Sequence, residues 1–476
     1  MTINSRILYG LLIVTGIGGC GGCVGTPPPF DPYGPGLADR LNAYNNVQPD
    51  VKKDTPGLFI DFSAGINNAF STSTVKSLLS ECFNTVLTNQ FEVFKLGSNE
   101  VTPLPVTNTT QLGQEISNPA NYKDIWAPIQ QAVNKITEAD NDALLITDFE
   151  EWNNKTEVTS TAYLKLPFSK WLAKGNSIHF FIVDYKEGNV DKHIYFTIFN
   201  STNNLLSKLA PKLSPYSARF DLSTRDYRLS TNYTDPKTGG IYNEKNALDL
   251  KPDQYLKGEN YEYYPSGLDW KNIAAVHKEE DVNDIFRNLF IDLSNQDSYA
   301  YKTFEVQTFN ATEDFENFAK ADFALHHPPA ITKGKNGENK ISDKEKDPFI
   351  LECYNEDGTI KDACTYHAQT LKPLSNYFRL NQSLFDNTSK SDNKHVELGI
   401  SFAPKFKPAD DTLLKINIVL TAATPNIDSP KLEKFKWTNA KGTPNTALYE
   451  SVKNTLLELK PENKIIYTYY MKTNQN

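Results

Sequence analysis

The sequence predicts an α/β fold in its N-terminal half, built on a mainly parallel sheet, followed by a β-rich C-terminal region. Three observations carry this. Two apolar runs, Gly57-Leu58-Phe59-Ile60-Asp61 and Ala143-Leu144-Leu145-Ile146-Thr147-Asp148, each end in a carboxylate, as buried parallel strands do when they deliver a side chain to their C-terminal edge. The stretches between the runs repeat apolar residues at helical spacing. Beyond about Pro215 the texture changes to alternating strands and long polar loops.

After the first run, Thr72 to Leu87 places Val75, Leu78, Leu79, Cys82, Phe83 and Val86 on one helical face. Phe91-Glu92-Val93-Phe94 alternates as a strand, and the Thr-, Asn- and Pro-rich stretch from about Val101 to Ala120 predicts a loop. Tyr122 to Ile136 is a second helical pattern, with Pro128 marking its start or a kink. Phe168 to Ala173 reads as a helix and Ser177 to Val183 as a strand. Strands alternating with helices imply a sheet whose ligands gather outside the carboxyl ends of its strands.

In the C-terminal region Val396 to Phe402 alternates strictly, Leu414 to Leu420 is β-branched and apolar, and Ile465 to Tyr470 closes the chain similarly. Lys333 to Asp347 carries charges of both signs with Gly and Asn, as a solvated loop does. Tyr255 to Tyr264 holds four tyrosines, which suit either a half-buried strand or a surface that stacks on sugar rings or a protein. Leu289-Phe290-Ile291-Asp292-Leu293-Ser294 nearly copies Leu58 to Ser63. Its sequel, Tyr299 to Val306, alternates as a strand and not as a helix, which argues against a duplication.

Composition narrows the function. With 39% hydrophobic and 22% charged residues the chain is globular, neither disordered nor an integral membrane bundle. Its 49 basic residues against 58 acidic ones, formal charge −9, leave no basic field for a phosphate backbone and argue against nucleic acid as a partner.

Arg6 precedes an apolar run, Ile7 to Ile17, which as a helix is about 16 Å long and too short for a bilayer core of roughly 30 Å. It reads as a signal-peptide core. The sequence Ile17-Gly18-Gly19-Cys20 resembles a bacterial lipoprotein signal, and that resemblance implies acylation of Cys20 as the mature N-terminus, with Cys23 the competing position. Residues 1–19 would be the signal peptide. Residues 20–56, with Pro27-Pro28-Pro29 and Pro32-Tyr33-Gly34-Pro35-Gly36, would form a stiff spacer. Two or more acyl chains suffice to hold a protein on a membrane, here as an outer-membrane lipoprotein of a bacterial cell envelope, periplasmic or surface-exposed. Export suits a disulfide between Cys353 and Cys364, whose ten intervening residues hold the turn signal Asn355-Glu356-Asp357-Gly358; two buried thiols or a metal pair are the alternatives. Cys82 reads as a small core residue.

Leu58-Phe59-Ile60-Asp61-Phe62-Ser63-Ala64-Gly65 resembles the first strand and metal-site loop of a von Willebrand factor type A domain, whose pattern is Asp-x-Ser-x-Ser before a helix. Leu144-Leu145-Ile146-Thr147-Asp148 resembles that family's later strand and acidic residue. The resemblance implies a doubly wound A-like domain over 57–215, with 216–476 as the β-rich remainder. It further implies that Asp61 and Ser63 supply oxygens to Mg²⁺ or Mn²⁺, that Asp148 completes the shell, and that one open position takes a ligand's carboxylate. Gly65 replaces the second serine. The middle-motif threonine is missing from Asn121-Tyr122-Lys123-Asp124-Ile125-Trp126, where Asp124 or Asn121 could substitute, as could Thr107, Thr109 or Thr110 from the preceding stretch.

Signals for an enzyme are weak. The seven histidines show no zinc-type spacing; His326-His327 read as strand or, before Pro328-Pro329, as loop. Glu150-Glu151 adds negative charge after Asp148 and is the one feature that would suit a metal-dependent hydrolase. The expectation is therefore a lipid-anchored envelope protein that binds a protein or acidic glycan through a divalent cation at Asp61, Ser63 and Asp148, with Asp124 as a further donor, and that is not an enzyme. A hydrolase at the same strand edge and a metal-free scaffold subunit are the alternatives.

Overall fold

The computed structural model describes residues 30–34, 37–45, 55–86, 91–218 (less 98, 154, 188, 202 and 203) and 226–232. It also describes 242–243, 256–257, 262–264, 289–292, 297–342, 347–380 (less 376), 382–383, 395–403 (less 399) and 412–472 (less 440). Cys20, Cys23, the signal peptide and most of the spacer lie outside the described residues.

The chain divides into two compact units, residues 36–315 with 369–476, and residues 1–35 with 316–368. The larger is organised by a seven-stranded sheet in the order β3-β2-β1-β4-β8-β7-β9. Its strands are β1 (Gly57–Asp61), β2 (Glu92–Gly97), β3 (Glu100–Pro103), β4 (Ala143–Thr147), the short pair β5 (Trp152–Asn153) and β6 (Thr156–Glu157) outside it, then β7 (Ser177–Glu187), β8 (Val190–Asn200) and β9 (Asp226–Ser230). Both run-then-carboxylate segments are strands, neighbours in the sheet and buried throughout, Gly57 to Ile60 pairing in parallel with Ala143 to Ile146.

Within this sheet, among the described residues, the parallel ladders are those of β2 with β1 and β1 with β4. The outer ladders β2–β3, β4–β8, β8–β7 and β7–β9 are antiparallel, so the sheet is mixed where the sequence reading expects mainly parallel strands. The physical reason is the connection. Glu187 pairs with Val190, leaving only residues 188 and 189 between two long strands, and a two-residue link makes a hairpin, never a parallel crossover.

Helices cover both faces. After α1 (Leu37–Asn45), one face carries α2 (Ala64–Ser71), α3 (Ser73–Val86), α4 (Thr109–Ser117) and α7 (Asn204–Ala218). There Val75, Leu78, Leu79, Cys82 and Phe83 of α3 pack in one core with Leu58, Ile60, Leu144, Ile146, Phe196 and Ile198 of the sheet. On the other lie α5 (Ile129–Ala139) and α6 (Lys165–Ala173), where Ile129, Ala132, Val133 and Ile136 recur at helical spacing against Phe59, Leu145 and Phe180. The same core continues into helix Ala447–Glu458 and into strands Tyr299–Asn310 and Leu413–Pro425 of a six-stranded C-terminal sheet.

The stretch from Val101 to Ala120 is not a loop. It contains β3 and α4, because Asn108 caps the helix by accepting from Gln111 N at 2.9 Å and because Leu112 and Ile116 bury one face of it. Pro128 marks a start, with α5 beginning at Ile129. Lys333 to Asp347 is partly a hairpin, Ile331–Lys333 against Asn339–Ile341. Leu289–Asp292 pairs antiparallel with His395–Leu398 and Tyr242–Asn243, unlike the parallel centre strand it resembles, so the local likeness is one of strand habit. The tyrosine-rich stretch forms strands, Glu262–Tyr264 pairing in parallel with Lys464–Lys472.

In the smaller unit, His326 ends helix Thr312–His326, and neither histidine lies on a strand: the Nδ1 atoms of His326 and His327 hydrogen-bond the carbonyls of Asp322 and Phe323 at 2.8 and 2.9 Å. Cys353 and Cys364 are joined as a disulfide, Cα atoms 5.4 Å apart, with Gly358 turning the chain at φ +83° between them. The bridge packs with Ala324, Ile341, Ile350 and Tyr354 in a core of six buried residues. A core that small leans on its covalent link. Replacing both cysteines by serine should therefore cost about 3 kcal/mol, read as faster amide exchange over 341–364 with exchange in β1 and β4 unchanged; equal protection in both proteins would show the bridge to be dispensable.

Candidate functional site

The sequence places Asp61 at the end of β1 and Asp148 one residue beyond β4, and parallel pairing brings the two ends side by side. Asp61 is 1% exposed. Its Oδ1 accepts from Ser63 N at 2.7 Å and its Oδ2 from the Thr147 hydroxyl at 2.8 Å, so one carboxylate ties the ends of two strands separated by 86 residues. The loop after it is pinned by main chain: Phe62 N donates to Leu96 O at 3.0 Å and Ala64 N to Asp124 O at 2.7 Å. Ser63 and Asp124 consequently pair as an isolated parallel bridge.

Asp148 is buried, and its Oδ1 accepts from Glu150 N at 3.0 Å. The next residue, Phe149, has φ +61°, a left-handed conformation costly for an aromatic side chain. It is held there by Thr147 Oγ1, which accepts from Phe149 N at 3.2 Å, and by the Tyr163 hydroxyl, which donates to its carbonyl at 3.1 Å. The ring packs edge-on against Tyr195.

Lys192 of β8 reaches into this edge. Its Nζ lies 2.7 Å from Glu150 Oε1 and 2.6 Å from Glu187 Oε2, with its side chain 6% exposed. Glu187 Oε1 also accepts from Asn68 of α2 at 3.1 Å. Glu151 is used differently. Its Oε2 accepts from Gln130 N at 2.7 Å and so caps α5, whose Pro128 provides no side-chain cap.

The site residues predicted from sequence divide accordingly. Asp61, Ser63 and Asp148 come together at the strand edge. Asp124 joins Ser63 through its main chain, while its carboxylate lies against Gly97, where a Cβ would stand 2.8 Å from Oδ2. Asn121 bonds to Glu115, and Thr107 to Gln111. Thr147, Tyr185, Glu187 and Lys192 join the edge without a motif of their own in the sequence. The signal for Lys192 was present: it falls in phase with Ile194, Phe196 and Ile198, which line the core face of β8.

Burial pushes the Asp61 carboxyl above the usual carboxylate range against the pull of its hydrogen bonds, and burial followed by the Asp61 charge does the same to Asp148. Glu150 is pushed up to about 8, by burial first and the Asp148 charge second, with Lys192 opposing. Burial alone would lower Lys192, but Glu150, Glu187 and Asp148 outweigh it and hold the ammonium charged. Among the described residues, no three side chains of His, Cys, Asp or Glu converge as a metal site. The donors that do meet are carboxylate and hydroxyl oxygens, a set that suits a hard cation.

Compared with known proteins, the chain matches no family model, no curated protein and no solved structure. What the fold defines is a mixed α/β protein with a seven-stranded sheet and a β-rich C-terminal region.

Carboxyls whose pKa is raised by folding stabilise the native state below the unfolded value and lose that contribution as pH rises through the folded value. In chelator-treated protein, stability should therefore fall between pH about 4 and about 8, the upper bound set by Glu150. Glu150→Gln should flatten the upper part of that fall in thermal melts. A melting temperature independent of pH over this window would show that the cluster is not buried as described.

Proposed function

We propose that the protein is a lipid-anchored binding protein of the bacterial cell envelope whose residues 57–215 form a von Willebrand A-like domain, and that it binds a protein or acidic glycan partner through Mg²⁺ or Mn²⁺. The observation that carries the reading is the convergence of Asp61, Ser63 and Asp148, buried, at the adjacent ends of two parallel strands. The Ser63 N–H already donates to Asp61 at 2.7 Å, which holds the two residues together at the strand edge. A bound cation would supply a positive charge able to bridge to a carboxylate of the partner. This chain's part is to hold the oxygens, through Thr147 and the Phe149 turn, and to keep bulk water from them.

Apolar side chains follow these residues in the chain. Ile125, next to Asp124, is 67% exposed, and Trp126 stacks on Trp152, next to Glu151, with ring centroids 6.4 Å apart. Exposed isoleucine and half-exposed tryptophans beside a polar centre suit a protein partner, since Trp is enriched at binding hot spots.

Three outcomes test the reading. Cation at 100 times Kd should stabilise the wild type by about 2.7 kcal/mol and Asp148→Asn by nothing, measured by thermal melts in Mg²⁺ and Mn²⁺; no shift at millimolar cation would remove the metal from the account. Gly65→Ser should tighten cation binding, because a Cβ there stands 3.6 Å from Asp148 Oδ2 and 4.0 Å from Glu187 Oε1, ordinary contacts that leave room for the missing hydroxyl. Weaker binding by that variant would separate this site from the family's pattern. A fatty-acid analogue should label the wild type and not Cys20→Ala; labelling that survives the substitution would move the anchor to Cys23 or discard it.

A further inference from the structure

Lys192 stands among more carboxylates than one ammonium can neutralise. It pairs with Glu150 at 2.7 Å and Glu187 at 2.6 Å, and its charge also acts on Asp148, whose own partner in the cluster is a main-chain N–H. Asp148 Oδ2 and Glu187 Oε1 stand 3.6 and 4.0 Å from where a Cβ on Gly65 would sit, so a carboxylate one residue beyond β4 and another at the end of β7 border the same point. A second observation points into the same place. Tyr185, 5% exposed and opposite Lys192 in the β7–β8 register, has a hydroxyl with no hydrogen-bond partner. That hydroxyl lies in the field of Asp148, Glu150, Glu187 and Asp61. A buried hydroxyl left unpartnered among carboxylates is short of a ligand, because buried polar groups otherwise find partners.

We infer that Lys192 is a tethered counter-ion that holds Glu150 and Glu187 away from a divalent cation at Asp61, Ser63 and Asp148, and so sets the cation affinity of the strand-edge site. The inference rests on the cation-binding reading and adds to it the residue that regulates uptake. A fixed ammonium repels a divalent cation twice as strongly as a monovalent one at the same distance. It also holds the oxygens that cation would use. To admit the cation, the Lys192 side chain would give up Glu187, the more exposed of its two partners, at 30% against 16% for Glu150, and the Tyr185 hydroxyl would be the further oxygen at hand.

The test is Mn²⁺ titration of the full chain by calorimetry and by the loss of the free-ion electron paramagnetic resonance signal. The proteins are wild type, Lys192→Arg, Lys192→Met, Glu187→Gln and the double variant Lys192→Met/Glu187→Gln. Lys192→Met should bind Mn²⁺ at least ten-fold more tightly than wild type, and Lys192→Arg no more tightly. If Lys192→Met fails to fold with two carboxylates unpaired, the double variant carries the test against Glu187→Gln and should again be at least ten-fold tighter. Wild type that binds while neither lysine-to-methionine protein binds more tightly than its reference overturns the inference and leaves the cation reading standing. Binding by the lysine-to-methionine proteins alone supports the inference and removes the cation from the native protein. Binding by none of the proteins overturns both.

Discussion

Burying a carboxylate at the end of a central strand is the constraint on which the strand edge depends. Asp61 gives up its hydration and receives in return one main-chain N–H and one hydroxyl, from Ser63 and Thr147. An ionised group that deep is costly unless both oxygens are occupied. Those two bonds fix the loop that leaves β1 and the end of β4 in one arrangement. Thr147 then serves twice, since the same hydroxyl accepts the Phe149 N–H and so steadies the turn that aims Asp148 and Glu150 at their neighbours. Ser63 in turn delivers Ala64 N to Asp124 O, which brings the chain between α4 and α5 to the same edge.

The acidity gathered there is a second constraint. Among the described residues, Glu150 and Glu187 pair with one buried ammonium, Lys192, whose charge also acts on Asp148, while Asp61 adds a further negative charge beside Asp148. Uncompensated buried charge costs several kcal/mol per ion, so the excess is relieved either by protonation, as the raised carboxyl values express, or by a second cation. These two routes oppose each other: a cation binds best when the carboxyls have released their protons. Cation uptake at the edge, as proposed, would for that reason be coupled to pH as well as to Lys192.

Much of this arrangement was legible in the sequence. An apolar run with no polar alternation that ends in Asp can hardly be anything but a strand covered on both faces, and Gly57 to Asp61 and Ala143 to Asp148 follow that logic. The helical faces of α3 and α5 and the pairing of Cys353 with Cys364 were equally direct, because each depends on local spacing. The rest depended on contacts that spacing does not encode. Helix α4 was hidden by a polar composition that only the Asn108 cap and the burial of Leu112 and Ile116 override. The antiparallel return of β7 into β8 follows from a link of two residues, a turn signal that the alternation of strands and helices elsewhere masked. The left-handed Phe149 has no local sequence signature at all. It is imposed by Thr147, Tyr163 and the packing of its ring.

The central claim is that Asp61, Ser63 and Asp148 hold a divalent cation at the edge of the sheet. Anomalous diffraction from crystals grown with Mn²⁺ tests it most directly. The account predicts a manganese peak about 2.0 to 2.3 Å from oxygens of that set, on the Gly65 side of Asp148, with the Lys192 ammonium withdrawn from Glu187. Clear density for Lys192 bridging Glu150 and Glu187, with no anomalous peak at saturating Mn²⁺, would contradict it.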